Sequence, residues 1–195
     1  NTMAALEAAM EEMADYSEID VQTTADGIVV LCHDLNLKRV AGVDRTLGSM
    51  TYSQLEQLDV GSHFSPDFKG ERIPALREVL EACKGRMKLN IELKNSEIRY
   101  EGMEQKVIDM VSEFNLEDYV VYSSFNHDSI GLVRQLKCDA DVAYLAGDYH
   151  RCMEGISKYG GITIHPSQLG MPVNKSNVEA IKNAGLRVRM WNGSE

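Results

Sequence analysis

After Pro74 the sequence alternates between helical and extended patterns, and this alternation constrains the fold more than any other feature. Each helix-spaced set of apolar residues is followed by a short apolar run typical of a buried strand. Such pairs favour a parallel sheet whose crossovers are helices. The predicted helix and strand pairs are residues 75–83 and 88–93, 102–114 and 119–123, 128–136 and 142–145, 151–159 and 161–165, and 175–184 and 186–191.

The segment before Pro74 adds a helix, a strand and an irregular region. Residues 2–16 predict a helix that Thr2 would cap, and residues 17–23 predict a strand that turns back into a second extended segment. Residues 35–73 have little periodicity and are too long for an ordinary connection, which indicates a functional insertion. We therefore predict a single domain over residues 1–195, with 35–73 as an inserted subdomain.

The predicted main strands number six, counting 17–23 and the five that follow Pro74. An open doubly wound sheet and a closed (β/α)₈ barrel of the TIM type both contain such a series. A closed barrel needs eight strands and typically about 250 residues. On this count, a barrel would lack its first and last strands in this chain.

Composition excludes some classes of function. The net charge of −10 argues against binding a polyanion such as nucleic acid through bulk electrostatics, although a local cationic pocket for a small phosphate is compatible with it. No stretch has the roughly 20 apolar residues of a membrane span. The four cysteines are widely spaced and without zinc-site spacing, so we expect free thiols and, weakly, a reducing compartment.

Two short charged steps lie on strand-like segments. Glu18 and Asp20 are two residues apart, as are Glu92 and Lys94, so each pair shares one face of its strand. Buried charges are costly unless they are paired or bind a metal, and oxygen ligands suit Mg²⁺ or Ca²⁺. The alternatives are an edge strand with its polar face in water for the first pair, and a salt-bridged surface strand for the second.

Among the histidines, His33 is the strongest catalytic candidate, because it follows a buried strand next to the carboxylate pair and can transfer a proton near neutral pH. Asp34 should point elsewhere if that strand continues, so no His–Asp dyad is predicted. His165 ends a strand and is a weaker candidate for the same mouth, whereas His63 and His127 are predicted to lie solvated in loops. A structural role remains open for His33, and a core role for Trp191.

The ordered motifs of the chain resemble those of the glycerophosphodiester phosphodiesterase family. The resemblance runs over nearly the whole sequence and rests on E-I-D-V with T-A-D-G (18–21 and 24–27), H-D (33–34), L-K-R (37–39), L-D-V-G (58–61), F-K-G-E-R-I-P-A-L (68–76), I-E-L-K (91–94), S-F (124–125) and V-R-M-W (188–191). The initial Asn1-Thr2 is similar to the end of the family's P-E-N-T motif.

This resemblance implies a (β/α)₈ barrel with a small insertion after the second strand, and hydrolysis of glycerophosphodiesters to glycerol 3-phosphate and an alcohol with Ca²⁺ or Mg²⁺. By motif, Glu18, Asp20 and Glu92 are similar to the family's metal ligands and His33 to one of its two catalytic histidines. Lys94 and Trp191 correspond to contacts with the substrate phosphate and the glycerol.

The chain departs from the family pattern because the first-strand motif H-R-G, with the other catalytic histidine, does not occur in it. The expected partner is a small phosphodiester and not nucleic acid, and the oligomeric state is not indicated. The nearest motif match is to members with a membrane domain, so we expect either a cytoplasmic or a membrane-attached protein. Two further hypotheses are a non-catalytic barrel that binds phosphodiesters or a partner, and a lysophospholipase D-like activity at the same site.

Overall fold

The computed structural model describes residues 1–170 and 174–191. Its helices are α1 (Met3–Glu11), α2 (Lys38–Ala41), α3 (Tyr52–Leu55), α4 (Leu76–Cys83), α5 (Met103–Glu113), α6 (His127–Leu136), α7 (Tyr149–Tyr159) and α8 (Lys175–Asn183). Its strands are β1 (Tyr16–Thr23), β2 (Val29–Leu31), β3 (Lys88–Leu93), β4 (Val120–Ser124), β5 (Asp141–Ala146), β6 (Thr163–Pro166) and β7 (Arg187–Val188). Short 3₁₀ turns lie at Leu47–Ser49, Pro66–Phe68 and Glu117–Tyr119.

The strands form one seven-stranded sheet in the order β2-β1-β3-β4-β5-β6-β7. All neighbours from β1 to β7 are parallel, whereas β2 pairs with β1 as an antiparallel hairpin. The predicted α/β class and its parallel series are confirmed. Helical crossovers between parallel neighbours explain why consecutive strands lie side by side.

Local sequence sets the ends of several helices. Thr2 caps α1, because its hydroxyl accepts a hydrogen bond from the amide of Ala5 at 3.3 Å. Asn126 and Asp148 cap α6 and α7 in the same way. Gly185 follows α8 with a φ of +72°, a left-handed conformation that favours glycine and ends the helix.

One face of the sheet carries the main hydrophobic core. The side chains of Ile19, Val21, Ile91 and Leu93 are at most 1% exposed and point towards the helices. A smaller cluster lies under residues 35–73 and is formed by Val30, Cys32, Leu37, Leu47, Met50, Leu55, Val60 and Ile73. Residues 35–73 therefore pack on the sheet through β2, whose residues contribute to both clusters.

The sheet is curved, and among the described residues it does not close on itself. Its curvature brings Arg189, just after β7, over the ring of Tyr16 at the start of β1, with 5.3 Å from guanidinium carbon to ring centroid. The inner face of this arc is where the charged residues of β1 and β3 lie. Within residues 1–170 and 174–191, no helix has both the length and the apolar character needed to cross a bilayer.

The predicted strand 88–93 coincides with β3, and most other predicted bounds differ by one or two residues. The last strand is shorter than predicted, since β7 covers only Arg187–Val188. Trp191 nevertheless continues the same alignment, because it bridges in parallel to Ser167. All four cysteines are free thiols, as the sequence predicted.

Candidate active site

Three carboxylates meet on the inner face of the sheet. Asp20 of β1 is in register with Glu92 of β3, and Glu18 lies two residues before Asp20 on the same face. One carboxylate oxygen from each of the three residues lies within 4.8 Å of the others. Together these oxygens form a cluster that could hold a metal ion, while their role as ligands stays a prediction.

Lys94 stands beside this cluster. Its Nζ lies 3.2 Å from Oε1 of Glu92 and 3.5 Å from Oδ1 of Asp20. Burial lowers the pKa of the Lys94 amine, but the two carboxylates outweigh that effect and raise it above its ordinary value. The side chain is therefore a permanent positive charge at neutral pH, next to the place where a cation would bind.

Asn1 holds Asp20 from the other side. The Asn1 amide donates to Oδ2 of Asp20 at 2.8 Å, and its carbonyl oxygen accepts from the Asp20 backbone amide at 2.8 Å. Oδ1 of Asp20 is buried and receives no hydrogen bond, and Nζ of Lys94 lies 3.5 Å from it. A buried carboxylate oxygen without a donor fits an ion at this position.

The electrostatics of the cluster point the same way. Although Glu18 keeps exposed surface towards the cavity, loss of surrounding water raises the pKa of its carboxyl, and Asp20 and Glu92 raise it further, to about 8. Burial also raises the pKa of Glu92. Carboxylates that raise one another's pKa repel in the charged form, and a divalent cation between them would remove that repulsion.

His33 lies on a turn at the mouth of the cluster, where the structure corrects the sequence-based expectation for Asp34. Nδ1 of His33 is 3.0 Å from Oδ1 of Asp34, whose carboxylate also receives Nε and Nη2 of Arg39 at 2.7 and 2.8 Å. Hydrogen bonds from Arg39 lower the pKa of Asp34 to about 2, so it is charged. The expectation was wrong because β2 ends at Leu31 and the chain turns.

The carboxylate cluster, His33 and Lys94 line one cavity of about 670 Å³. Its apolar wall is formed by Phe125, Leu145, Met190 and Trp191. Trp191 is fixed there, because its indole N–H donates to the carbonyl of Ala146 at 3.0 Å and its ring meets that of Phe125 edge-on. A second cavity of about 790 Å³ lies between α6 and α7 and does not contain the cluster.

Two other histidines differ in their placement. His165 is buried on β6 and lines the cavity, 3.3 Å from Arg189, and burial followed by that charge lowers its pKa to about 3. His127 is not a solvated loop residue as predicted. It begins α6, packs edge-on against Tyr144, and its Nε2 lies 2.9 Å from the carbonyl of Leu145.

Sequence reasoning missed three contributors to the site. In the sequence, Asn1 and Arg39 occur only as parts of motifs, and no motif assigns a role to Gln22. Gln22 follows Glu18 and Asp20 at the same two-residue spacing, so strand periodicity would have placed it on the inner face. The contacts of Asn1 and Arg39 depend on chain packing and left no local signal.

The chain therefore has a parallel α/β sheet with a carboxylate cluster on its inner face that could hold a metal ion. Residues 1–194 match the model of the glycerophosphoryl diester phosphodiesterase family. The chain belongs to the glycerophosphoryl diester phosphodiesterase family.

Relatives carry corresponding names. The chain is 40% identical over 197 residues to a glycerophosphodiester phosphodiesterase of Caldanaerobacter subterraneus, covering 98% of this chain and 79% of that protein. It is 33% identical over 136 residues to a lysophospholipase D of Homo sapiens, covering 67% of this chain and 42% of that protein.

A solved structure with a similar fold is a phosphodiesterase of Oleispira antarctica in complex with the product sn-glycerol-3-phosphate. The TM-score is 0.85 at 28% identity, covering 100% of this chain and 79% of that one.

Proposed function

We propose that this protein hydrolyses glycerophosphodiesters to glycerol 3-phosphate and an alcohol. The observation that carries the proposal is the convergence of Glu18, Asp20 and Glu92 within 4.8 Å, beside Lys94 and His33 in one cavity. Family membership and the relatives named glycerophosphodiester phosphodiesterase support it. The ion would be Ca²⁺ or Mg²⁺, because the ligand atoms are all carboxylate oxygens.

The cation, when bound, offsets charge that develops on the phosphate oxygens. Lys94 would hold a non-bridging phosphate oxygen, since its amine stays charged and already faces the cluster. His33 would either protonate the leaving oxygen or activate the attacking group, because Asp34 holds Nδ1 and leaves Nε2 for the substrate. Trp191 would pack against the glycerol carbons.

Release of glycerol 3-phosphate from glycerophosphocholine tests the proposal. We expect activity that EDTA abolishes and that Ca²⁺ or Mg²⁺ restores. The variant Lys94→Met should lose roughly a hundredfold in kcat/KM, as expected for a lost electrostatic contact in the transition state. Lys106→Met is the matched control, because that amine donates to the carbonyl of Gly27 outside the cavity. Activity indifferent to chelation would refute the metal role.

A second substrate class is favoured by the apolar wall of Phe125, Leu145, Met190 and Trp191. A lysophospholipid would place its acyl chain against such a wall, and a relative named lysophospholipase D supports this possibility. Parallel assays with glycerophosphocholine and lysophosphatidylcholine distinguish the two. A kcat/KM at least tenfold higher for lysophosphatidylcholine would make it the preferred substrate. A kcat/KM at least tenfold higher for glycerophosphocholine would exclude the lysophospholipid as the preferred substrate.

A further inference from the structure

Gln22 is a fully buried polar side chain on the inner face of β1. It follows Glu18 and Asp20 at the same two-residue spacing, and none of its surface is exposed. Burying an amide is costly unless its hydrogen bonds are satisfied, so the contacts of this side chain indicate what it stabilises.

The side-chain amide of Gln22 forms hydrogen bonds with the turn that carries His33. Its Nε2 donates to the carbonyl of Cys32 at 2.7 Å and to that of Asp34 at 3.0 Å, the residues on either side of His33. β2 ends at Leu31, and one further backbone hydrogen bond to β1 follows, from the amide of Cys32 to the carbonyl of Asp20 at 3.0 Å. Gln22 adds the side-chain hydrogen bonds that hold the carbonyls of Cys32 and Asp34 to β1.

Tyr100 fixes the orientation of that amide. Its hydroxyl donates to Oε1 of Gln22 at 2.9 Å, which directs the NH₂ group towards the turn. Tyr100 is itself held, because its backbone amide donates to Oδ1 of Asn95 at 2.6 Å. A Cβ built on Gly48 would lie 3.0 Å from the Tyr100 ring, so Gly48 packs closely against that ring.

We propose that Gln22, oriented by Tyr100, is a positioning residue for His33. The proposal rests on the proposed function, in which His33 transfers a proton. Asp34 contacts Nδ1 of the His33 ring, and Arg39 donates to Asp34. Both residues follow His33 closely in the chain, so they orient the ring only relative to that segment. Gln22 and Tyr100 connect the segment to β1, the strand that carries Glu18 and Asp20.

Kinetics of two variants test this role. Tyr100→Phe keeps the ring and removes one hydrogen bond, whereas Gln22→Leu removes all the hydrogen bonds of the Gln22 side chain. We expect kcat to fall about tenfold in the first and about a hundredfold in the second, with KM within about twofold, because small misplacements of a catalytic group have effects of this size. Tyr144→Phe is the matched control, since its buried hydroxyl also donates to a carbonyl, that of Gly160 at 2.6 Å.

Equal kcat in Tyr100→Phe and Tyr144→Phe, at similar loss of thermal stability, would overturn the proposal. If Gln22→Leu does not fold, Tyr100→Phe decides alone. The second measurement is NMR of the His33 ring nitrogens, which needs no turnover. We expect altered ring signals in Tyr100→Phe and wild-type signals in Tyr144→Phe. Unchanged His33 signals in Tyr100→Phe would also overturn the proposal, even if the wild-type protein proved inactive towards glycerophosphodiesters.

Discussion

The two faces of β1 and β3 contrast sharply, although they belong to the same strands. The outer face presents Ile19 and Ile91, which have no exposed surface and pack against the helices. The inner face presents Asp20 and Glu92, which are 3% and 8% exposed and lie in mutual repulsion. Apolar burial stabilises the fold, whereas crowded carboxylates destabilise it. The alternation of side chains along each strand therefore places the residues that stabilise the fold on one face and the candidate catalytic residues on the other.

The largest expected effect lies on the outer face. Ile91→Ala should reduce the free energy of unfolding by about 2–5 kcal/mol, because it leaves a cavity in the packed core. Ile91→Val, which removes one methylene, should lower it by only about 0.5–1.5 kcal/mol. Urea denaturation measures both. A loss as small in the alanine variant as in the valine variant would contradict the assignment of Ile91 to the core.

On the inner face, Glu92→Gln should show the opposite behaviour. We expect kcat/KM to fall at least roughly a hundredfold, about 2.7 kcal/mol in the barrier, because a ligand to the cation is weakened. The melting temperature should change little, because the variant removes both the repulsion from Asp20 and the ion pair with Lys94. Glu101→Gln, at an exposed position, is the matched control for the substitution itself. Equal loss of activity in the two variants would show that the effect is not specific to a carboxylate of the inner face.

Metal addition should raise the free energy of unfolding only by binding to the carboxylates of the inner face. At a free ion concentration about 100 times Kd, binding to the native state adds about 2.7 kcal/mol to the free energy of unfolding. Denaturation with Ca²⁺ and with EDTA measures this difference in the wild type. The difference should shrink strongly in Glu92→Gln and persist in Ile91→Val. The same stabilisation in Glu92→Gln as in the wild type would place the ion elsewhere.

A smaller effect concerns His165, a buried inner-face residue of β6. Its pKa in the folded state is about 3, against an ordinary value of 6.5, so folding requires the neutral ring. Its contribution is therefore intact above pH 6.5 and is lost as the pH falls towards 3. Between pH 6.5 and 5 this amounts to about 1.5 kcal/mol of lost stability.

The His165→Asn variant isolates that contribution, because it removes the imidazole and leaves the other ionisable side chains in place. Stability curves from pH 5 to 7 should be flatter for the variant than for the wild type. Parallel curves would show that His165 does not cause the loss of stability at acid pH.

Sequence patterns predicted much of this architecture, since alternation and helix spacing are local properties. The span of β3 was predicted to the residue, and the common face of Glu18 and Asp20 followed from the two-residue period. Asp34 was mispredicted because the pattern gives no sign of where β2 stops pairing. His127 was mispredicted because its burial depends on the ring of Tyr144, which belongs to a neighbouring strand.

The sequence by itself determined which residues could be inside and which chemistry they carry, because periodicity assigns each side chain to a face. Only the tertiary structure decided that Asp20 stands in register with Glu92, that Lys94 lies between them, and that Gln22 reaches the carbonyls around His33. Those contacts join residues distant along the chain, and the register of one strand against another is fixed by packing of the whole sheet.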